Sequence, residues 1–496
     1  MLPPPLRSQP DAAASFYHLA PGHVEGRACA GTACFVARHL NPQCWQRAVD
    51  EEPHIHCLGK CYAAPAEFRS SDSDTPPRME VHASRAIVLG RLVAGGTRTL
   101  AGYKRHGGYL ALRKALAGPP ADVLREMDAS GLRGRGGAGF PAGRKWRAVA
   151  AQSATEKHVI ANADEGDPGA YVDRFLMEGD PHSVIEGMIL AGYAVGASHG
   201  WIYLRSEYPL AAKTLSAALM EARAEGILGG RVLGHDDFSF DITLHVGRGS
   251  YLCGEETALI HSIEGRRPEV TARPPLPTER GLFGLPTLVN NVETLVSVPD
   301  IVTHGGAAYH ALGFSQSRGT KVVSLNSLFH RPGLYEVEFG VPVRYIVEEL
   351  GGGLRDGGLK GVIIGGPLAG IVPPHLLDTP LGFEELRAIG AAVGHGGVVA
   401  FDERTPIAAL VHHVFSFGSR ESCGKCTPCR CGSARIEQIF RGVMTSGSAA
   451  RDQDTEWRDL IEALKWTSLC GHGTGLADFA ASVLRYYGKE LEPCFQ

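Results

Sequence analysis

Two hydrophobic patterns alternate along the chain between about residues 105 and 310. Short apolar runs within "KHVIANADEGD", "GWIYLRSEYP" and "FDITLHVGRG" are typical of buried β-strands. The longer segments "SVIEGMILAGYAVGA" and "LAAKTLSAALMEARAEG" have the length and composition of helices. Strands that alternate with helices predict a parallel sheet in α/β layers, and the loops after such strands are the usual place for a ligand.

The pattern changes after about residue 318. The short runs "GTKVVSLNS", "GLYEVEFG" and "GLKGVIIGG", separated by Gly/Pro turns around one helical segment, predict a small α+β domain up to about residue 385. From about residue 395 the chain is predicted to be helical, because Ile436, Ile439, Phe440 and Val443 have amphipathic spacing. Nearer the N-terminus, the polar segment "EFRSSDSDTPPRMEVH" is predicted to be either a domain boundary or a surface loop.

Composition narrows the class of protein. A chain of 496 residues that is 44% hydrophobic and 21% charged has enough apolar material for several cores. The net charge of −4 gives no basic excess, so neither nucleic acid nor an anionic membrane is expected as a partner. The N-terminal stretch lacks a basic region followed by an apolar run, and no segment reaches the roughly 18 apolar residues of a spanning helix. We therefore expect a cytoplasmic protein without membrane insertion.

The 12 cysteines point to metal binding or redox chemistry, because a reducing compartment disfavours structural disulfides. The stretch "ESCGKCTPCRCG" places Cys423, Cys426 and Cys429 at C-x₂-C-x₂-C spacing. Three close cysteines with one distant partner are typical of a [4Fe–4S] cluster, whereas structural zinc usually takes two separated pairs. We predict Cys470, in "SLCGHGTG", as the fourth ligand, since Cys431 follows Cys429 too closely. A zinc knot or unrelated buried thiols is the alternative.

A glycine-rich loop, "GLRGRGGAGFPAGRKW", formally matches the dinucleotide fingerprint at Gly134, Gly136 and Gly139. The fingerprint requires a preceding strand, and the segment before this loop has helical character. The loop instead leads into a predicted helix, "PAGRKWRAVAAQ", whose first N–H groups suit a phosphate. Positive charge is added there by Arg135, Arg144 and Lys145.

Two further loops carry carboxylates. "NADEGDPGA" follows an apolar strand and contains Asp164 and Glu165, while "GRGSYLCGEETALI" contains Glu255 and Glu256 at the start of a predicted helix. Carboxylates accept hydrogen bonds from ribose or ribityl hydroxyls, so these loops are candidates for binding a nucleotide or a flavin. For Glu255 and Glu256 the alternative is capping of the helix N-terminus, which contributes less than about 1 kcal/mol each.

Taken together, the motifs resemble a known family. "RGRGGAGFPAGRKW", "NADEGDPG", "YLCGEETALI", "PTLVNNVETL" and "ESCGKCTPCR" with a later "SLCGHG" are similar to the NADH-binding flavoprotein subunit of respiratory complex I. They are also similar to the diaphorase subunits of NAD-reducing hydrogenases and NAD-dependent formate dehydrogenases. The resemblance covers about residues 105 to 496. It implies a multidomain α/β protein with a Rossmann-like FMN- and NAD(H)-binding domain (105–317), a β-grasp domain of the SLBB type (318–390) and a helical bundle with a [4Fe–4S] cluster (391–496).

The resemblance also implies site residues. FMN would be bound by residues of the glycine, acidic and amide motifs: Gly134, Arg135, Gly136, Lys145, Asn162, Asp164, Glu165, Tyr251, Gly254, Glu255, Asn290, Asn291 and Thr294. NAD(H) would lie over the flavin near Gly137, Phe140, Lys145, Asp167, Tyr251 and Glu256. This sequence departs from the family pattern at three positions: Asp167 stands where Glu is frequent, Leu276 where Phe is frequent and Cys431 where Glu is common.

Residues 25–62 resemble a second module, which together with a linker is assigned to residues 1–104. Cys29 and Cys34, followed by Cys57 and Cys61, match the C-x₄-C…C-x₃-C pattern of thioredoxin-like [2Fe–2S] ferredoxins, with 22 residues between the pairs. We predict that these four cysteines hold a [2Fe–2S] cluster, because each iron of such a cluster takes two thiolates. Zinc and a metal-free docking module are the alternatives.

The predicted function follows from these parts. NAD(H) exchanges hydride with FMN, and FMN exchanges single electrons with the iron–sulfur clusters, so no side chain is required as a catalytic acid or base. The fused N-terminal module, the segment "VVSLNSLFHRPGLYEVEFG" and the ending "LEPCFQ" resemble most the β subunit of a molybdenum- or tungsten-dependent NAD⁺ formate dehydrogenase. That resemblance implies two partners, an α subunit with the molybdenum or tungsten cofactor and iron–sulfur clusters, and a small [2Fe–2S] γ subunit.

Two alternatives to this function stay open. One is the diaphorase subunit of an NAD-reducing hydrogenase or of a complex I-like NADH dehydrogenase. The other belongs to a different class, a metal-binding scaffold that binds nucleotide without turnover.

Overall fold

A computed structural model describes residues 25–52, 54–69 and 75–495 of the chain. Residues 1–24 of the predicted N-terminal module, and the middle of the predicted boundary segment, lie outside the described residues. Twelve strands occur in the described part: β1 (Arg78–Val81), β2 (His158–Ala163), β3 (His199–Leu204), β4 (Asp241–Val246), β5 (Thr287–Asn291), β6 (Gly313–Phe314), β7 (Ser317–Arg318), β8 (Thr320–Leu325), β9 (Gly333–Glu338), β10 (Leu359–Ile364), β11 (Ile371–Val372) and β12 (Gly397–Asp402).

Helices fall into three groups along the chain. The first residues contribute Thr32–Val36 and Pro42–Asp50. The central part contributes Gly90–Val93, Leu100–Arg105, Leu110–Leu116, Pro120–Ser130, Ala142–Ala150, Val172–Gly179, Pro181–Val195, Pro209–Ala224, Glu256–Ile263, Pro277–Arg280, Val292–Val296, Val298–His304 and Gly306–His310. The rest contributes Phe383–Ala388, Ile407–Arg420, Ser433–Ser446, Arg451–Thr467 and Gly471–Leu491, with a π-helical turn at Pro428–Gly432.

The predicted parallel sheet is present. Strands β4, β3, β2 and β5 lie side by side in that order, and all three pairings are parallel. The chain runs from β2 outward through β3 to β4 and then returns to place β5 on the other side of β2. This reversal is a topological switch point, where two strand ends open a crevice that binds ligands in open α/β sheets. The loops after β2 and β5 therefore meet at one edge.

A fully buried helix, Pro181–Val195, packs on this sheet. Two glycines allow its close approach to neighbouring elements. A Cβ at Gly192 would lie 2.4 Å from the ring of Phe240, and one at Gly187 would lie 2.2 Å from the backbone oxygen of Leu295. A larger residue would push the helix away from Phe240, just before β4, or from helix Val292–Val296, so these glycines permit its close packing.

The second sheet is mixed and has six strands, in the order β1-β9-β8-β12-β10-β11. Its inner residues, among them Val323, Tyr335 and Val398, form a separate core. β12 lies between β8 and β10, so the sheet extends past residue 390, where the sequence analysis ended the β-grasp segment. β1, from the predicted N-terminal module, pairs with β9 at the opposite edge. The division into four domains stays a prediction.

The N-terminal segment differs from the expectation. Between residues 25 and 69, the described residues form no continuous sheet, and isolated bridges join Ala28 to Glu67 and Cys29 to Ile55. The segment between the two cysteine pairs is not one continuous helix, because Asn41 caps a new helix that begins at Pro42. A thioredoxin-like sheet is therefore not present in these residues. Most of their buried side chains instead join the same core as the four-stranded sheet and the C-terminal helices, while Ala28, Ala30, Cys44 and Ala48 form a small cluster of their own.

In the described part of the chain, no helix has the length and apolar character that crossing a membrane requires.

Candidate functional site

The glycine loop closes one side of the crevice between β2 and β5. It precedes helix Ala142–Ala150, as expected. Gly136 packs on Asn291 at the end of β5, where an added Cβ would lie 2.9 Å from the Asn291 Cβ. Gly137 has φ +129°, a conformation that side chains disfavour, and nothing lies within 4 Å of the place where its Cβ would be. The loop thus leaves open space beside its backbone, as binding of a flat or phosphate-bearing ligand requires.

Charged side chains face each other across this crevice. Lys145 Nζ lies 2.6 Å from Glu256 Oε2, and Arg273 lies 3.1 Å from the other oxygen of Glu256. Burial alone would raise the pKa of Glu256, but the two cations lower it below its ordinary value. The carboxylate therefore stays ionised and is able to accept hydrogen bonds from sugar hydroxyls.

Asp164, directly after β2, supplies a second acceptor. Its backbone N–H donates to Asn162 Oδ1 (3.2 Å), and Asn162 Nδ2 donates to the carbonyl of Gly254 (2.8 Å). The Asp164 Oδ2 atom is buried and has no hydrogen-bond partner among the described residues, and burial raises the pKa of this carboxyl well above its ordinary value. A buried acceptor without a partner costs about 1–3 kcal/mol, so a hydroxyl-bearing ligand fits this position.

Tyr251 connects the crevice to the C-terminal helices. Its hydroxyl donates to Asp167 Oδ1 (2.9 Å), and its backbone N–H donates to Glu421 Oε2 (3.0 Å). Its ring lies edge-on to Phe417, with the centroids 5.0 Å apart. Glu421 precedes the cysteine run by two positions, so the loop that borders the crevice also contacts the segment that holds the cysteines. At the open side, Phe140 is 50% exposed and available to a planar ligand.

Several predicted ligand residues point elsewhere. Glu165 accepts from the backbone N–H groups of Asp173 (2.9 Å) and Arg174 (3.0 Å), at the start of helix Val172–Gly179. Glu255 caps helix Glu256–Ile263 through the N–H groups of Thr257 and Ala258, as its alternative interpretation proposed. These carboxylates act on helix termini.

The Arg135 guanidinium also turns away from the crevice. It donates to Tyr309 Oη (2.8 Å) and to the carbonyl of Arg318 (2.7 Å), while its backbone N–H donates to Thr294 Oγ1 (2.8 Å). On β5, Asn290 accepts from Trp146 Nε1 (2.9 Å). Arg135, Thr294 and Asn290 therefore hold the loop and the strand end, and the cation that faces the crevice is Lys145 rather than Arg135.

The C-terminal cysteines converge from two segments. Cys423, Cys426 and Cys429 come from the turn before helix Ser433–Ser446, and Cys470 stands just before helix Gly471–Leu491. Burial, with the neighbouring thiols of Cys426, Cys470 and Cys423, raises the pKa of Cys429 to about 12. The backbone N–H groups of His472 and Gly473 point at the Cys470 sulfur. Four converging thiols with N–H donors fit a cubic iron–sulfur cluster. Cys431 is exposed.

The N-terminal cysteines form two close pairs. All four are buried. The sulfurs of Cys57 and Cys61 lie 3.6 Å apart, and a hydrogen bond from Cys34 lowers the pKa of Cys29 to about 7 although burial opposes the shift. Each pair also receives a backbone N–H, from Gly31 to Cys29 and from Gly59 to Cys57, both at 3.4 Å. Two thiol pairs with N–H donors are a donor set that a [2Fe–2S] cluster fits.

Arg205 joins the N-terminal cysteines to the crevice, and the sequence analysis missed it. Its guanidinium is buried and donates to the carbonyls of Glu165 and Cys57, the latter at 2.7 Å, while pairing with Glu207 at 2.8 Å. Arg174 likewise donates to the carbonyl of Gly59 (3.1 Å). Arg205 directly follows β3, so the rule that ligand-site residues follow parallel strands would have marked it.

Comparison with known proteins agrees with this geometry. Residues 127–300 match the family described as "Nuo51 FMN-binding domain", and residues 409–494 match the "NADH-ubiquinone oxidoreductase-F iron-sulfur binding region". Fold, crevice and cysteines thus define an FMN-binding flavoprotein with a [4Fe–4S]-binding region, which confirms the predicted FMN, NAD(H) and [4Fe–4S] cluster, while the [2Fe–2S] cluster stays a prediction.

Relatives that match most of the chain support the same family. The chain is 42% identical over 386 residues to the NADP-reducing hydrogenase subunit HndC of Solidesulfovibrio fructosivorans, covering 78% of each chain. It is 39% identical over 394 residues to the F 2 subunit of the NADH-quinone oxidoreductase of Rhizobium meliloti (strain 1021), covering 79% of this chain and 93% of the relative. The chain belongs to the family of the NADH-quinone oxidoreductase F subunits and their hydrogenase homologues.

Among solved structures, a crystal structure of an NAD⁺-reducing [NiFe]-hydrogenase in the H₂-reduced state is similar with a TM-score of 0.81 and 30% identity. The match covers 98% of this chain and 87% of that chain. It therefore includes the N-terminal cysteine segment, which lies before both family matches. These similarities support the hydrogenase and NADH dehydrogenase alternative better than the predicted formate dehydrogenase β subunit.

Proposed function

We propose that this chain exchanges hydride between NAD(H) and FMN and passes single electrons to iron–sulfur clusters, as the diaphorase subunit of a larger NAD-linked complex. The observation that carries the proposal is Tyr251, whose side chain contacts Asp167 in the crevice while its backbone contacts Glu421 beside the cysteine run. One loop thereby joins a nucleotide crevice to a cluster-binding segment. Family membership supports the same interpretation.

The side chains of the crevice bind and orient the two ligands in this proposal. Asp164 and the Asn162 amide serve the polyol hydroxyls of FMN, and Lys145 serves its phosphate or ring oxygens. FMN itself supplies the conversion between hydride transfer and single-electron transfer. No protein group needs to move a proton at the reacting atoms, so the chain contributes orientation and exclusion of water.

NAD(H) is assigned to the open side of the same crevice. Phe140 is half exposed there and offers a ring face to a planar base. Glu256, kept ionised by Lys145 and Arg273, is the proposed acceptor for ribose hydroxyls. Leu276 is 44% exposed and provides an apolar but non-aromatic surface, at a position where Phe is frequent in the family that the sequence resembles.

The N-terminal cysteines are proposed to hold a [2Fe–2S] cluster. Their pairing, their burial and the N–H groups of Gly31 and Gly59 support it. Through Arg205 the cluster segment shares a guanidinium with the Glu165 carbonyl of the crevice. The cluster would therefore lie inside the chain, next to the flavin loops.

A partner subunit is proposed to dock at the C-terminal cysteines. Cys426 and Cys470 are partly exposed, and just before Cys470 in the chain stand Trp466, which is 76% exposed, and Leu469, which is 47% exposed. A tryptophan this exposed is uncommon on a free surface, and Trp is enriched among residues that dominate protein interfaces. We assign this face to a subunit that itself carries iron–sulfur clusters, because electrons leaving the cluster need an acceptor close by.

Two groups of complexes fit the proposal. The relatives favour a hydrogenase or NADH dehydrogenase complex. The β subunit of a molybdenum- or tungsten-dependent formate dehydrogenase, with an α subunit and a small [2Fe–2S] γ subunit, is the second candidate, favoured by "VVSLNSLFHRPGLYEVEFG" and the ending "LEPCFQ". Affinity purification of the chain from its native cells, followed by metal analysis, distinguishes them. Nickel indicates a nickel-containing hydrogenase, molybdenum or tungsten indicates the formate dehydrogenase, and the absence of all three metals indicates a complex without them, such as an NADH dehydrogenase.

The biochemical test uses the purified full chain with its cofactors. We expect a brown protein that bleaches when NADH is added and reduces an artificial acceptor at the expense of NADH, without oxidising formate alone. A colourless protein that binds zinc, or a coloured one that does not respond to NADH, would instead support a non-catalytic scaffold.

A further inference from the structure

A buried histidine lies behind the glycine loop and is not used by the function proposed above. His395 belongs to the turn "GHGG" that leads into β12. It is 5% exposed, and its Nε2 lies 2.9 Å from Asp173 Oδ2 and 3.1 Å from Asn291 Nδ2. Asn291 Nδ2 also donates to Asp173 Oδ2 at 2.6 Å. Asp173 Oδ2 therefore accepts from both the His395 ring and the Asn291 amide, and the three side chains form a triangle at the end of β5.

The triangle contacts the glycine loop at two points. Asn291 packs directly on Gly136, and Gly394, next to His395, forms an isolated bridge with Gly137. A third connection is indirect, because Asn291 Oδ1 accepts from the Thr294 backbone N–H at 3.1 Å, and Thr294 in turn anchors the glycine loop. The position of the loop backbone is therefore coupled to the position of the His395 ring.

A metal site is the competing interpretation, since ligand atoms of Glu165, Asp173 and His395 lie within 4.8 Å of one another. Their hydrogen bonds argue against it. Both oxygens of Glu165 accept backbone N–H groups, and Asp173 accepts from Asn291 and from the Glu293 N–H at 3.2 Å. Carboxylate oxygens that accept hydrogen bonds from protein donors are not free to bind a cation. The three side chains are therefore held together by hydrogen bonds and by opposite charge.

The charges around the ring favour imidazolium. Asp173 faces it from helix Val172–Gly179, Glu165 and Asp167 from the loop after β2, and Lys321 from β8, where Glu293 neutralises that lysine. Burial lowers the pKa of His395, but Asp173 and Glu165 outweigh it and raise the pKa to about 9. The ring is therefore protonated at neutral pH. A buried histidine without such carboxylate partners would be neutral.

We propose that His395 is a positioning residue for FMN: as a buried cation it donates to Asp173, which also accepts from Asn291, and through this carboxylate it fixes the glycine loop at Gly136 and Gly137 and places positive charge behind the flavin site. This inference rests on the proposed function, because it assumes that FMN occupies the crevice. It adds a residue of the six-stranded sheet to a site otherwise built on the four-stranded sheet.

The experiment measures FMN binding to the full chain after removal of its flavin, by quenching of FMN fluorescence, together with the flavin midpoint potential. For His395→Gln, which keeps a polar side chain but loses the charge, we expect FMN to bind about tenfold more weakly and the potential to become more negative. Asp173→Asn should give a smaller change in the same direction. His158→Gln is the matched control, since His158 is similarly buried but its pKa is lowered to about 4, chiefly by burial.

The pH profile adds a readout that a purely structural role would not change. A histidine whose pKa is raised on folding contributes fully below its ordinary value near 6.5, and its contribution is lost as pH rises through about 9. Wild-type FMN affinity should therefore fall between about pH 8 and 10, and His395→Gln should be flat over that range. The measurement starts at about pH 8 because the pKa of Glu165, raised by burial, is about 7.

The outcomes separate this inference from the proposed function. If wild-type chain binds FMN and reacts with NADH, and His395→Gln does both with unchanged affinity, potential and pH profile, the role of His395 is refuted and the function stands. Equal weakening in His158→Gln would also refute it. A wild-type chain that binds no FMN refutes the proposed function. If His395→Gln does not fold, Asp173→Asn decides by the same affinity and pH measurements.

Discussion

The two groups of four cysteines lie in opposite surroundings. Cys29, Cys34, Cys57 and Cys61 are all buried, in a segment without a sheet of its own in its described residues, and their side chains belong to the main core. In the C-terminal group, Cys423 and Cys429 are buried while Cys426 and Cys470 are partly exposed. One group is enclosed by the fold and the other reaches the surface.

The ways in which the two groups are attached explain this difference. The N-terminal group is held through its backbone, with the Cys57 and Gly59 carbonyls accepting from Arg205 and Arg174 of the central α/β part. The C-terminal group is held by a turn and a helix start, next to the exposed Trp466. A cluster on the enclosed cysteines would suit electron exchange within the chain, and a cluster on the surface cysteines would suit electron exchange with a partner subunit.

The largest expected effect is loss of the surface cluster. Cys470→Ser should abolish the [4Fe–4S] cluster or convert it to a three-iron form, because the fourth corner must come from a separate segment. Cys431→Ser should leave it intact, since Cys431 is exposed to solvent. Iron analysis and low-temperature EPR of both variants test this. The reverse pattern would make Cys431 the ligand.

Loss of the enclosed cluster is the next largest effect. The wild-type chain should contain roughly six irons, about four in the cube and about two in the N-terminal pairs, and Cys57→Ser should reduce this to about four. The cube signal should persist in that variant. A wild-type chain with about four irons and no zinc would make the N-terminal segment a metal-free docking module, and zinc in place of iron would make it a zinc site.

Removing Arg205 tests whether the enclosed group depends on the crevice. Arg205→Gln leaves Glu207 and two buried carbonyls without this guanidinium, a type of change that destabilises by about 3–5 kcal/mol. We expect a lower melting temperature and less N-terminal iron. Arg223→Gln is the control, because Arg223 forms an exposed pair with Asp241, of a kind that contributes about 0–1 kcal/mol. An equal loss of melting temperature and of N-terminal iron in both variants would show that Arg205 does not hold the cysteine segment.

Glu256→Gln tests the crevice that lies between the two groups. A neutral amide accepts ribose hydrogen bonds less strongly than a carboxylate, so NADH turnover should fall about tenfold while flavin content changes little. Steady-state kinetics and flavin content per chain are the measurements. A parallel loss of both would assign Glu256 to FMN instead of NAD(H).

The smallest effect on the isolated chain is expected at Trp466, in the surface where the partner subunit is proposed to dock. Trp466→Ser should leave NADH oxidation with an artificial acceptor unchanged and weaken binding of the iron–sulfur partner, because Trp466 is exposed and its indole N–H donates only to Glu462 within the described chain. Met220→Ser is the control, as Met220 is 63% exposed on helix Pro209–Ala224. Co-purification of the partner should fall in the Trp466 variant and not in the Met220 variant; retention in both would place the partner elsewhere.

Local patterns in the sequence predicted the parallel sheet, the glycine loop and the C-terminal cysteines, because each depends on residues close in the chain. The thioredoxin-like sheet was wrong for the described residues, since cysteine spacing specifies a metal-ligand pattern and leaves the surrounding fold open. The direction of Glu165 was also missed. A carboxylate two residues beyond a strand serves a ligand or a helix terminus, and only the position of helix Val172–Gly179 decides between them.

The sequence alone determined which chemistry this protein carries: thiols at cluster spacing, a glycine loop before a helix, and acidic loops after apolar strands. Only the tertiary structure decided how these parts are joined. Arg205 follows β3 and His395 precedes β12, and their partners Cys57 and Asp173 lie 148 and 222 positions away along the chain. No local pattern encodes such pairs, because burial of a charge is stabilised by whichever distant group the packed core brings beside it.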